Sequence, residues 1–124
     1  RLRLLGTALT NLKRIEELPV VYITISQEEL NRNNFKKGDT EGFVNYGLSL
    51  VGISVAVIMI ENEQEQIIKM SFRSKGAFSV NDFARTYFNG GGHHNAAGGA
   101  SKLSLSETES KFINSISKVK NLLQ

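Results

Sequence analysis

The chain has 124 residues and a mass of 13.7 kDa, the size of one domain. Its 40% hydrophobic and 22% charged residues exclude wholesale disorder, and the absence of cysteine excludes disulfide scaffolds, thiolate zinc sites and cysteine nucleophiles. The formal charge of +3 is unevenly spread, because residues 69–102 hold five bases against one acid, and residues 90–99 hold five of the eleven glycines. A basic, glycine-rich, acid-poor stretch suits a surface that receives phosphate, although a solvated basic face would have the same composition.

Leu2, Leu5, Leu9, Leu12 and Ile15 recur at helical spacing and predict a first helix through residue 17, closed by Pro19. No capping residue precedes it and residue 1 is Arg1, so the chain is expected to be cut from a longer protein. The β-branched and aromatic residues 20–25 predict a buried strand, and Ser26 with Glu29 a capping box for a short helix. Gly38, Gly42 and Gly47 break the next segment into a loop and a short helix, with Asp39 a candidate N-cap.

Residues 51–61 and 66–73 predict an antiparallel hairpin, with Ile68, Met70 and Phe72 on the buried face of its second strand. Ser79 caps a predicted helix over 80–88, whose first turn carries Asp82. After the glycines, residues 99–105 predict a last strand, and Ser106 with Glu109 caps a last helix to residue 123. The result is an α+β domain, a small mixed sheet with helices packed on it. No apolar run reaches the roughly 20 residues that cross a bilayer and no signal peptide is visible, so a soluble, cytoplasmic protein is expected.

The stretch from Asn89 to Ala100, with Gly90-Gly91-Gly92-His93-His94-Asn95 at its heart, is the most informative. Three successive glycines are costly inside regular structure and belong where only glycine fits. Their amides predict a concave nest for an anion, reinforced if residues 93–97 continue as a helical turn. A packing role for the glycines is the alternative reading. The run is neither a Walker A loop nor a dinucleotide fingerprint, since it lacks Gly-Lys-Ser/Thr and follows a helix. His93 and His94 are poor metal ligands, being adjacent with no carboxylate in the cluster. One of the two is expected to face a ligand, and His93 is the choice because it follows the glycines directly. Arg73 offers a planar fork and Ser74 a hydroxyl at the end of the second hairpin strand.

Gly90-Gly91-Gly92-His93 followed by Ala96-Ala97-Gly98 resembles the motif of the C-terminal, DHH-associated domain of DHH-family phosphoesterases. Gly38-Asp39-Thr40-Glu41-Gly42, Ser71-Phe72-Arg73-Ser74 and Val80-Asn81 look like its bacterial nano-RNase/pAp-phosphatase, exopolyphosphatase-related branch. The resemblance implies that residues 19–124 form the substrate-binding domain and that residues 1–18 are a linker helix from a missing N-terminal catalytic domain. Arg73, Ser74, Gly90, Gly91, Gly92 and His93 become the substrate-binding set. It further implies a substrate that is a short oligoribonucleotide or adenosine 3′,5′-bisphosphate, and manganese held by that missing domain. The sequence departs from the whole family pattern in having no Asp-His-His motif, so it is expected to bind without hydrolysing. A non-catalytic RNA-binding module, as in alanyl-tRNA synthetases, is the rival reading, and a homodimer is left open.

Overall fold

A computed structural model describes residues 1–123, and the first departure from expectation comes at once. Helix α1 (Leu2–Thr10) stops well short of residue 17, and β1 (Lys13–Arg14) pairs antiparallel with the following strand. The reason lies in Leu12 and Ile15. They pack against the two different cores on opposite sides of the sheet, which one helical stripe cannot do. A turn with Glu17 at φ 69° then delivers the chain into β2 (Val20–Ile25), of which every residue but Thr24 is buried.

Ser26 and Glu29 form both hydrogen bonds of the expected capping box at the start of α2 (Gln27–Arg32). Helix α3 (Phe43–Leu48) begins at Gly42, not Asp39, whose carboxylate instead accepts from the Lys36 amide. The strong strand starts later than expected, as β3 (Val55–Asn62), because Val51 and Gly52 form an exposed turn with Gly52 at φ +79°. Strand β4 (Ile67–Ser74) completes the predicted hairpin, and α4 (Val80–Tyr87) carries its Ser79 cap.

The glycine stretch folds as a hairpin, β5 (Gly91–His93) and β6 (Ala96–Ser101), so residues 93–97 do not continue as a helical turn. The last helix, α5 (Leu105–Lys118), is capped by Ser104 with Glu107, two residues before the predicted box, and a single 3-10 turn (Lys120–Leu122) follows. Two overlapping Ser-x-x-Glu patterns satisfy the same capping chemistry. A buried hydrogen bond from Thr108 to Ser101 at 2.7 Å accompanies the earlier start.

Among the described residues, five α-helices and a six-stranded mixed sheet make an α+β domain, with strand order β1-β2-β3-β4-β6-β5. Only β2 and β3 run parallel. One core, built around Tyr22, Met59, Phe72, Phe83, Phe88 and Phe112, lies between the sheet and α4 and α5. The other lies under α1, α2 and α3 and draws its strand residues from β2 and β3. Among the described residues no helix is long and apolar enough to cross a membrane.

Helix α5 is fastened to the β1–β2 edge of the sheet by a three-residue contact. The Tyr22 hydroxyl donates to Glu109, which also pairs with Lys13 at 3.2 Å. Burial pushes the Tyr22 phenol well above its usual range, and the neighbouring carboxylate adds to this. At Glu109 burial acts to raise the pKa, but the hydrogen bond from Tyr22 and the Lys13 ammonium outweigh it and hold the carboxyl below its ordinary value. Glu109 therefore contributes stability above about pH 4.5 that is lost as pH falls through its lowered pKa. Tyr22 contributes stability below about pH 10 that is lost on going higher. In denaturant titrations, Tyr22→Phe should be less stable than the natural chain at neutral pH, and the gap should narrow toward about pH 3. A constant gap would mean that the Glu109 charge contributes nothing.

Candidate functional site

Because side chains alternate along a strand, β4 divides its residues between the two sides of the sheet. Ile68, Met70, Phe72 and Ser74 are buried on the α4 side, while Lys69, Ser71 and Arg73 face the other way. Helices α1 to α3 build their core over β2 and β3, and that core takes no residue from β4, β5 or β6. This half of the sheet is left open.

Strand pairing sets out the open face. Arg73 lies opposite Ala56 on one side and Ala96 on the other, and Ala96 lies opposite His93. Ser71, Gly98 and Gly91 form the adjoining row. At the usual strand spacing, Arg73 and His93 stand roughly 10 Å apart across Ala96. Between them Ala96 and Gly98 raise almost no side chain, so the floor is flat. The His93 ring is exposed, and Arg73 is half-buried with its guanidinium donating to the Phe72 carbonyl at 2.9 Å. Arg73 makes no ion pair among the described residues.

Each of the three glycines answers a separate constraint, and none of them forms the expected nest. A Cβ on Gly90 would lie 1.9 Å from the Gly98 carbonyl oxygen, because the segment between α4 and β5 lies directly on β6, the Phe88 carbonyl accepting from the Ala100 amide at 2.9 Å. Gly91 and Gly92 have φ of +153° and +157°, a region that L side chains rarely adopt. The Gly92 amide is already engaged, donating to the Asn81 side chain at 2.9 Å. The glycines thus admit a strand lying tight against its neighbours and keep that strand free of side chains.

Ser74 is buried on the opposite side from Arg73. Its hydroxyl donates to the Phe78 carbonyl at 2.8 Å and accepts from the Asn95 amide group at 2.9 Å. Asn95 also returns its carbonyl to the Ser74 amide, and the His94 carbonyl accepts from Val80 at 2.9 Å. The His94 ring, 3.0 Å from the Gly76 carbonyl, acts as donor there. The hairpin turn is therefore stapled to the loop that follows β4, and His93 alone of the two rings is turned outward without a partner among the described residues.

The structure brings Arg73 and His93 into one row of the open face, turns the side-chain direction of Gly91 toward Asn81 and Arg85 of α4, ties Gly92 to Asn81 through its amide, places Gly90 in the packing beneath, and sets Ser74 behind. Asn81 and Asn95, which fix the hairpin, were not singled out as site residues by sequence. Their partners lie 11 and 21 residues away, and only Asn81 enters the sequence reading, as half of the Val80-Asn81 resemblance. The glycine-flanked patch of Thr40, Glu41 and Gly42, by contrast, comes to rest beside Arg73 and Ser71 in a recess of about 240 Å³. The five bases of the stretch scatter: Lys69 pairs with Glu65 at 2.8 Å, and Lys75, Arg85 and Lys102 stand exposed on separate elements. Arg73 is the only one of the five in the His93 row. Among the described residues no His, Asp and Glu side chains gather as three or more in a way that could hold a metal ion.

Residues 17–123 match the DHHA1 domain family. Among solved structures, an exopolyphosphatase-related protein from Bacteroides fragilis superposes with a TM-score of 0.94 at 38% identity, over 98% of this chain and 35% of that one. The chain thus spans about a third of that relative's length. A pGpG-specific phosphodiesterase from Vibrio cholerae gives a TM-score of 0.66 at 16% identity, over 94% of this chain and 38% of that one. The C-Ala domain of alanyl-tRNA synthetase from Aquifex aeolicus gives 0.53 at 14% identity, over 90% of this chain and 96% of that one. The last two likenesses are of fold alone. No curated protein matches the chain.

Proposed function

Because the chain belongs to the DHHA1 domain family, a part of DHH-family phosphoesterases, we propose that it is the substrate-recognition domain of such a hydrolase. Its ligand is a short oligoribonucleotide or adenosine 3′,5′-bisphosphate. The observation that carries this reading is the row Arg73–Ala96–His93 on the open face. A phosphate laid on the flat floor between them meets a guanidinium on one side and an imidazole on the other, both able to donate. The glycines and alanine let it approach the sheet without meeting a Cβ. Arg73 and His93 touch the ligand. Ser74, Asn81, Asn95 and the packed Gly90 hold the hairpin that presents them.

The chain's own residues do not fit a manganese site. Its only two histidines are adjacent, and His94 is spent on Gly76. Any catalytic metal of the parent enzyme belongs to a further N-terminal domain, to which residues 1–18 would lead. This domain's task in that enzyme is to hold the nucleotide in place so that its scissile bond is presented to the other domain.

Isothermal titration of the chain with a 5′-phosphorylated dinucleotide tests the reading. His93→Ala should weaken binding by about 1.5–3 kcal/mol, the contribution of a charge-assisted hydrogen bond. His93 is exposed, so folding should be untouched. Equal affinity in the variant would remove His93 from the site. The salt dependence separates this reading from a long RNA track: with one of the five bases in the row, log K should fall with log[salt] at a slope of only about −1 to −2.

A further inference from the structure

The recess beside Arg73 does not end there. Through Gly38, Thr40 and Ile60 it runs into a larger cleft of about 780 Å³, bounded by α2, the 33–42 loop and the tip of the β3–β4 hairpin. Lys69, on its wall, is four residues from Arg73 along β4, or about 13 Å. The floor is apolar, made by buried Leu30, half-buried Ile60 and Phe35, a residue 39% exposed. The rim is polar. Of its carboxylates, Glu61 accepts from the Gln27 amide and Glu65 pairs with Lys69, but Glu63 has no partner among the described residues; nor do the side chains of Gln64 and Thr40.

This lining suits one part of a nucleotide and not the other. Three glutamates against Lys37 and Lys69 repel a phosphate. An exposed aromatic ring over aliphatic side chains is a stacking platform for a base, and a free carboxylate accepts from an exocyclic amine. We propose that the cleft is a subsite for the nucleobase of the nucleotide adjoining the one whose phosphate is held by Arg73 and His93, and that it favours bases with an exocyclic amine. The acidic hairpin tip beyond it makes a third phosphate unfavourable, so the same cleft sets the site for short substrates. This subsite rests on the phosphate reading above.

The test is amide NMR and calorimetric titration of the natural chain, Phe35→Ala and Glu63→Gln with pCpC, pUpU and cytidine 5′-monophosphate. With pCpC, shifts are expected both at Arg73 and residues 91–93 and at residues 35–40 and 63–64. Phe35→Ala should bind pCpC about tenfold more weakly and the monophosphate unchanged. Glu63→Gln should bring the affinities for pCpC and pUpU together, since cytosine presents a C4 amine and an N3 acceptor where uracil presents a C4 carbonyl and an N3–H, and only the amine is a donor at C4. Shifts confined to Arg73 and residues 91–93, with full affinity in Phe35→Ala, would overturn the base subsite and leave the phosphate site standing. Shifts confined to the cleft would overturn the phosphate site, and no shifts with any ligand would overturn both. An unchanged pCpC to pUpU ratio in Glu63→Gln would overturn the amine preference.

Discussion

Gly90→Ala should destabilise the domain by about 3 kcal/mol or more, at the upper end of what overpacking costs. The added Cβ would stand 1.9 Å from the Gly98 carbonyl oxygen, 2.7 Å from the Gly99 Cα and 2.8 Å from the Gly98 carbonyl carbon. All three are backbone atoms of β6, which is fixed between β4 and β5 by its ladders on both sides. No side chain can rotate away to make room. Either the segment between α4 and β5 lifts from the sheet or the hairpin shifts, and both movements displace His93. The control is Gly6→Ala in α1, where a Cβ meets nothing within 4 Å and φ is not positive. That variant should gain about 0.5–1 kcal/mol from the higher helix propensity of alanine. Urea titrations of the two proteins give the comparison directly. A Gly90→Ala protein as stable as the natural chain would show that the segment between α4 and β5 does not lie as close to β6 as described.

Phe72→Ala should cost about 3–5 kcal/mol, the range for emptying a large aromatic side chain from a packed core. Phe72 is fully buried, with the rings of Phe83 and Phe88 at 5.9 and 5.8 Å, and its edge lies 3.1 Å from where a Cβ on Gly99 would be. It is thus the side chain directly beneath the glycine hairpin, on the reverse of the strand that displays Arg73. The damage should be local before it is global. In hydrogen exchange, amides of 97–99 and of α4 should lose more protection than those of β2, and dinucleotide affinity should fall with them. Uniform loss across the sheet would mean that the hairpin has no separate dependence on this ring.

Much of the fold was legible because it is decided by near neighbours in the chain. The run from Val20 to Ile25, the hairpin of β3 and β4, the Ser26–Glu29 box and the Ser79 cap involve residues within a few positions of each other or a simple alternation. The glycine-histidine motif identified the family for the same reason, since it is a contiguous string. Where two local readings were equally good, sequence could not choose. Ser104 and Ser106 both stand three residues before a glutamate, and Thr108 reaching Ser101 and Glu109 reaching Tyr22 are contacts that accompany only one of them.

The candidate site shows the same division. Its residue types were readable: Arg73, the glycines and His93 were chosen by their chemistry and their order. Their arrangement was not, because it depends on register and on which side of the sheet each residue falls. Ser74 and Arg73 are adjacent in sequence, yet alternation sends one into the core and the other to the open face. The glycine run looked like a loop because glycine is poor in strands, but contact with Gly98 and hydrogen bonding to Asn81 make a strand of it. Thr40 and Arg73, more than thirty positions apart, share one recess only because α3 lies over β3. By itself the sequence determined the local elements, the family and the chemistry available, since these follow from residue identity and short spacing. The tertiary structure alone decided which of those groups share a face, since that depends on strand order and on packing between segments far apart in the chain.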